Sequence, residues 1–355
     1  MARHTVVPLP PPSAPLTGAR TRARVARLGR YALGVGYVAY FVSSYRRRGF
    51  PFDRERVMLW IAAALVITSV GRGWRWALRV AVDWVPFAVL LYAYDLTYGF
   101  ATRFGRPVLV EPLVAADKLL FAGQVPAVWV QQHISHHGGV AWWELAVSIV
   151  YASHFVLPFA LAGALWWRSR RLWRQWVTRL LTLSFSAVIV YAALPTGAPW
   201  YAAQQGLISP IDRPVGRGWV TIGLHAAPAL LQRGRQFVNP YAALPSLHAG
   251  YSFLFALFVF GLLGRGRWRL LVFAYPVAMA FVLIYGGEHF VADILAGWAL
   301  AGASSWLCRR VGRWWSARAV ATEPRRRRPG RWPPTWPARR TARHDEPTAE
   351  PAPEP

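Results

Sequence analysis

The sequence predicts an all-α protein of the polytopic membrane kind, a helical bundle, and three observations carry that expectation. Hydrophobic residues make up 55% of the 355 residues and charged residues only 16%, which is too apolar for an ordinary soluble domain. The apolar residues fall into runs long enough to cross a bilayer. Arginines gather in short links between those runs, where basic residues fix topology. The formal net charge of +26 would otherwise suggest nucleic acid, but its placement in links and in the C-terminal tail fits loops that meet anionic headgroups and argues against a nucleic-acid partner. Cys308 is the sole cysteine, so a disulfide framework and a thiolate metal site are both excluded.

Taken in order, residues 1–30 combine "PLPPPSAP" with Arg20, Arg22, Arg24, Arg27 and Arg30 and read as a disordered basic leader. The run "YALGVGYVAYFVSSY" at 31–45 is short for a span of about 20 residues, and reads as a thin span or an interfacial helix. Stronger candidates follow at about 57–71, 77–99, 141–167, 176–194, 249–263, 270–286 and 290–308. Trp142, Trp143, Trp166, Trp167 and Trp298 bound several of them, as suits rings at headgroup depth. The catalytic unit is thus expected over 31–308, with two polar connections at roughly 100–140 and 195–247. Residues 309–355, basic and then acidic and proline-rich, are expected to form an unstructured tail.

Orientation follows from the basic links. Arg168, Arg170, Arg171, Arg174 and Arg179 lie in one, Arg265, Arg267 and Arg269 in another, and the tail is more basic still, so all three are expected on the cytoplasmic side. Both long connections, with His248 and His289, then fall on the extracytoplasmic side. The basic stretch "YRRRGFPFDRER" conflicts with this count if 31–45 spans.

Three segments are unusual for membrane sequence: "LPTGAPWY" (194–201), "LPSLHAGYS" (244–252) and "YGGEHFVADILAG" (285–297). His289 and Asp293 are four apart, so on a helix the carboxylate reaches one imidazole nitrogen and leaves the other with a lone pair. This is a nucleophile or base with its orienting partner, or else a structural pair tying a helix end to its neighbour. Ser246 precedes an apolar helix as an N-cap would, yet a helix N-terminus beside His248 is also an anion site. Two histidines, one aspartate and a helix N-terminus on one membrane face make a phosphoryl-transfer centre, with one imidazole attacking phosphorus and the other protonating the leaving oxygen.

"PSLHAGYS" and "HFVAD" resemble the second and third signature motifs of the type 2 phosphatidic acid phosphatase superfamily, integral membrane enzymes with a six-helix core. The resemblance implies that His289 is the nucleophile, Asp293 its orienting partner and His248 the general acid. The chain departs from the common pattern: Leu283 stands where the third motif usually has arginine, and the ordinary first motif is missing. Instead "PTGAPWY", with Trp200, is similar to a segment of the inositol phosphorylceramide synthase branch, which also has Ser-Leu-His. The stretch from Asp117, "DKLLFAGQVPAVWVQQHI", is similar to an outer loop of actinobacterial members of that branch.

With the usual cations absent, Arg213 and Arg217 in "IDRPVGRGW" are the preferred phosphate ligands, with Ser246 and Trp200 as further substrate contacts and Arg233 and Arg235 beyond. The cluster His133, His136 and His137 invites a metal, but no carboxylate stands at ligand spacing, and neither metal nor cofactor is expected. His154, inside a span, is a buried polar contact or an axial haem ligand. The expected activity is that of a membrane phosphatase or phosphotransferase acting on a lipid phosphate or phosphodiester, with water or a polyol such as inositol as acceptor. The competing class is a transporter or scaffold whose His and Asp serve as a polar relay.

Overall fold

A computed structural model describes residues 17–48, 54–96, 105–135, 139–225, 227–229 and 239–322. Among the described residues the architecture is all-α, joined by loops and two isolated β-bridges. The helices are α1 (Thr17–Arg48), α2 (Arg54–Ser69), α3 (Trp74–Leu96), α4 (Glu111–Leu120), α5 (Pro126–Ile134), α6 (Glu144–Arg168), α7 (Arg170–Ala193) and α8 (Pro199–Gln204). After a 3₁₀ turn at Arg217–Ile222 come α9 (Leu247–Leu262), α10 (Ala274–Tyr285, entered through a 3₁₀ segment, Arg267–Phe273) and α11 (Val291–Thr322). The described residues up to Arg310 belong to one compact unit, and beyond it α11 is described as far as Thr322.

Among the described residues four stretches are long and apolar enough to cross a membrane: Glu144–Arg168, Arg170–Ala193, Arg267–Tyr285 and Val291–Trp314, with shorter apolar helices at Leu59–Ser69 and Leu247–Leu262. These fall on the runs read from the sequence. The amino-terminal expectation is revised, because the leader is helical from Thr17 and shares α1 with the 31–45 run. Alanine, arginine and leucine are good helix formers, and Arg30 and Tyr37 fix α1 to α2 by donating to the carbonyls of Val70 (2.8 Å) and Trp60 (2.9 Å). The tail is likewise helical to Thr322, and its remainder lies outside the described residues.

Only Ser169 separates α6 from α7, and its hydroxyl accepts from the Leu172 N–H as an N-cap. The two helices therefore form a tight hairpin. Asp83 of α3 would be costly among apolar helices, and it is held by Arg170 and by the Trp166 indole N–H (2.6 Å). The main core packs Trp176, Leu180 and Leu183 of α7 against Leu254 and Phe258 of α9.

The contact that positions the site is the crossing of α9 and α11. Glycines face each other there: a Cβ on Gly297 would lie 2.3 Å from the Ser246 carbonyl oxygen, and one on Gly250 would lie 3.3 Å from the Gly297 oxygen. Gly297→Ala must push backbone away from backbone, a strain of about 1–3 kcal/mol. It is expected to lower the thermal midpoint in detergent and cut activity at least roughly tenfold, since small displacements of reacting groups are costly. Gly302→Ala on the same helix, where a Cβ meets nothing within 4 Å, is the control and should be neutral in both assays.

Candidate active site

The first turn of α11 presents N–H groups that need acceptors. Asp293, its third residue, reaches back to the Phe290 N–H (2.9 Å), the carboxylate half of a capping box. The next two N–H groups, of Val291 and Ala292, are taken by Asp117 of α4, at 3.1 and 3.4 Å from Oδ1. Two carboxylates thus cap one helix, the second supplied from 174 positions away. His289 immediately precedes this turn, with Nδ1 3.4 Å from Asp293 Oδ2 and only 8% of its surface exposed. The i, i+4 spacing thus brings the two groups to ion-pair distance, with Nδ1 the ring nitrogen beside the carboxylate.

Asp117 is 1% exposed, and burial pushes its carboxyl up to about 6 despite the two N–H donors. A folded-state value above the ordinary one means that folding takes up a proton. The associated stability is complete below about pH 4 and is lost as pH rises through about 6. Asp117→Asn keeps an oxygen for the helix end but removes the titration. Thermal midpoints of the wild type should fall by a few degrees across that window, while those of Asp117→Asn stay level; parallel curves would reject this role.

At the start of α9, Ser246 donates its backbone N–H to the Asp293 carbonyl (3.0 Å), and its hydroxyl accepts from the Ala249 N–H (3.2 Å). Fully buried, Ser246 is the helix cap, one of the two places the sequence allowed it. The same backbone bond brings the second residue of α9, His248, beside His289, with ring centroids 5.7 Å apart and planes tilted by 56°. Its other neighbours are aromatic, and include His154.

The unusual loops converge on this pair. Thr196 makes parallel bridges with Leu109 and Ala242, and its hydroxyl accepts from the Leu244 N–H (2.7 Å), so "LPTGAPWY" is joined to the approach to "LPSLH". The Trp200 N–H donates to the Gly287 carbonyl (3.1 Å), two residues before His289. Gly287 adopts φ +62°, and a Cβ there would meet Ile211 Cδ1 at 2.7 Å, which explains a glycine at this turn. Gln131 of α5 clamps the arrangement: its amide nitrogen donates to the Asp212 (2.9 Å) and Tyr285 (2.6 Å) carbonyls and its amide oxygen accepts from the Asp212 N–H (2.8 Å).

Arg213 and Arg217 were expected to be phosphate ligands, and the structure pairs each with a carboxylate. Arg213 bonds Glu288 through Nε (3.2 Å) and Nη2 (2.6 Å), with its guanidinium 4.5 Å over the Trp200 ring. It therefore touches the residue beside His289. Arg217 makes a bidentate pair with Glu144, which is fully buried, and approaches the Tyr285 hydroxyl (3.5 Å). The Glu144 bonds push the Arg217 guanidinium above its usual range, so its charge is committed to the fold. Leu283, in the position where the common third motif has arginine, is core.

Of the remaining candidates, Arg233, Arg235, His136 and His137 lie outside the described residues. His133 stacks on Trp129 (4.4 Å), its Nδ1 2.8 Å from that residue's carbonyl oxygen. Among the described residues no group of three His, Cys, Asp or Glu side chains is arranged around a common point. Asp117, Gln131, Glu144 and Glu288 went unassigned in the sequence reading. Their signal was polarity beside apolar runs and, for Asp117, Gln131 and Glu288, a place inside the family-like or unusual stretches.

Comparison with known proteins covers the stretch that carries both histidines. Residues 113–307 match the PAP2 superfamily, more than half of the chain and both histidine motifs. This chain belongs to the PAP2 superfamily. It is accordingly a membrane phosphatase or phosphotransferase of lipid metabolism. The PAP2 region runs from α4 into α11, which leaves α1 to α3 outside it.

Among relatives, the chain is 26% identical over 258 residues to a phosphoinositol dihydroceramide synthase of Bacteroides thetaiotaomicron, covering 69% of this chain and 80% of that one. It is 23% identical over 239 residues to the inositol phosphorylceramide synthase catalytic subunit aur1 of Schizosaccharomyces pombe, covering 62% of this chain and 51% of the relative, about half its length. No solved structure matches.

Proposed function

We propose that this PAP2 protein is a phosphotransferase that moves a polyol phosphate between a lipid phosphodiester and an alcohol acceptor through a phosphohistidine. The observation that carries the reading is the His248–His289 pair, 5.7 Å apart, with Asp293 on the far nitrogen of His289. His289 Nε2 attacks phosphorus, forming an N–P bond as the bond to the leaving alcohol breaks. His248 gives that alkoxide its proton. The acceptor hydroxyl then loses its proton to His248 and attacks the phosphohistidine, which restores both imidazoles. Asp293 holds the His289 tautomer throughout.

Arg213 serves the transferring phosphoryl group by turning part of its fork from Glu288 toward the phosphate oxygens, with Trp200 supporting its plane. A lipid donor keeps its tails in the bilayer while its headgroup enters between α9 and α11. The basic links at 168–179 and 265–269 and the basic tail favour a site on the extracytoplasmic side. The names of both relatives describe synthases of inositol-phosphate sphingolipids, which supports transfer over hydrolysis and inositol as the polyol.

The test is incubation of the purified protein with phosphatidylinositol, other lipid phosphodiesters and lipid phosphates, with and without a ceramide or free inositol, followed by product mass analysis. Acceptor-dependent appearance of a new inositol phosphodiester is expected. Release of inorganic phosphate alone would make the protein a phosphatase and overturn the transfer reading.

A further inference from the structure

The packing of α6 against α9 contains a feature that phosphoryl transfer does not itself require. Tyr151 and His154 are three apart on α6, and His248 and Tyr251 are three apart on α9, so each pair projects from one helix face. The four rings interleave. Tyr151 stacks on His248 (5.0 Å, 19°), His248 on His154 (3.9 Å, 28°), and His154 on Tyr251 (5.1 Å, 16°). Phe155 closes the edge of this stack, T-shaped against both histidines.

The far end is anchored to a third helix. Tyr251 Oη lies 2.5 Å from Ser184 Oγ of α7, and the serine hydroxyl donates to the Leu180 carbonyl (2.8 Å), so the tyrosine is the donor between them. Tyr151, His154 and Tyr251 are all buried. Two rings, Tyr151 and His154, therefore stack on His248, and His289 stands beside it tilted by 56°. An imidazole's second dihedral is broad when nothing bounds it, and the general acid works only if its N–H lies along the line to the leaving oxygen.

We propose that His154 is a positioning residue for the transfer reaction, fixing the plane of the His248 imidazole through the face-to-face contact. The role rests on the reading of His248 as the general acid. His154 touches no reacting atom, and its effect passes through His248 to the proton delivered to the leaving alcohol. Tyr151 and Tyr251 belong to the stack from α6 and α9, and His289, just before α11 and beside Asp293, adjoins His248.

The test uses purified full-length His154→Ala and His154→Phe with two phosphodiester donors that share the same phosphoryl group. One donor expels an alkyl alcohol, which needs a proton, and the other expels p-nitrophenolate, which does not. His154→Ala should lower kcat on the alkyl donor by roughly 10- to 100-fold with little change in KM, and should lower it far less on the nitrophenyl donor. His154→Phe, which restores a ring face, should recover most of that loss.

Equal losses on both donors would mark general damage to the fold and overturn the proposal, as would an undiminished His154→Ala or a His154→Phe no better than alanine. If His154→Ala does not purify folded, His154→Leu fills the same volume without a planar face and takes its place. His248→Ala is run alongside. If it loses equally on both donors, the acid reading itself fails; if it keeps the leaving-group dependence while His154→Ala does not, only the positioning role is rejected.

Discussion

His289→Ala should reduce turnover by roughly 10⁴-fold or more while the protein still purifies as a folded membrane protein. The large effect follows from losing the atom that bonds phosphorus, for which water cannot substitute at this site. Retained folding follows from the same geometry. The Asp293 carboxylate still caps Phe290, Asp117 still caps Val291 and Ala292, and the Ser246–Asp293 backbone bond is untouched. A second readout is chemical: rapid quench with a phosphorus-labelled donor should leave label on the wild-type chain, stable to base and lost in acid, and none on His289→Ala. Full activity in the alanine variant, or label that persists in it, would sink the covalent mechanism.

His248→Ala should cost roughly 10²- to 10⁴-fold on donors whose leaving group is an alkyl alcohol and far less on a p-nitrophenyl donor. The alkoxide needs a proton as the bond breaks, whereas nitrophenolate is stable without one. The ring contact between His248 and His289 would put the acid within reach of a phosphoryl group held on His289. Steady-state rates with the two donors decide the point. A uniform loss would assign His248 to substrate binding and leave the proton to another group.

Much of the fold was legible because helix formation and membrane insertion depend on short stretches of chain. The runs ending in the Trp-flanked α6 and α7, and the apolar α9 and α10, are set by residue types within a few turns, and the structure places helices there. The His289–Asp293 pairing was legible for the same reason, since residues four apart on a helix meet whatever surrounds them. Ser246 was legible as a cap because an N-cap is read from the residue before an apolar helix. The basic leader misled because arginine signals charge while contributing well to a helix, and because the anchors at Val70 and Trp60 belong to another helix.

What the sequence determined by itself was a membrane α-helical protein with two histidine motifs of the PAP2 superfamily. Only the tertiary structure decided which groups lie together and which partners they take. The commitment of Arg217 to Glu144, the division of Arg213 between Glu288 and Trp200, the capping of α11 by Asp117 and the stacking of His154 on His248 all join different helices and loops. The physical reason is range. A cap or an apolar run is settled over a few residues, whereas the partner of a buried charge or ring is chosen by how helices cross, and here that crossing turns on the glycine contact between α9 and α11.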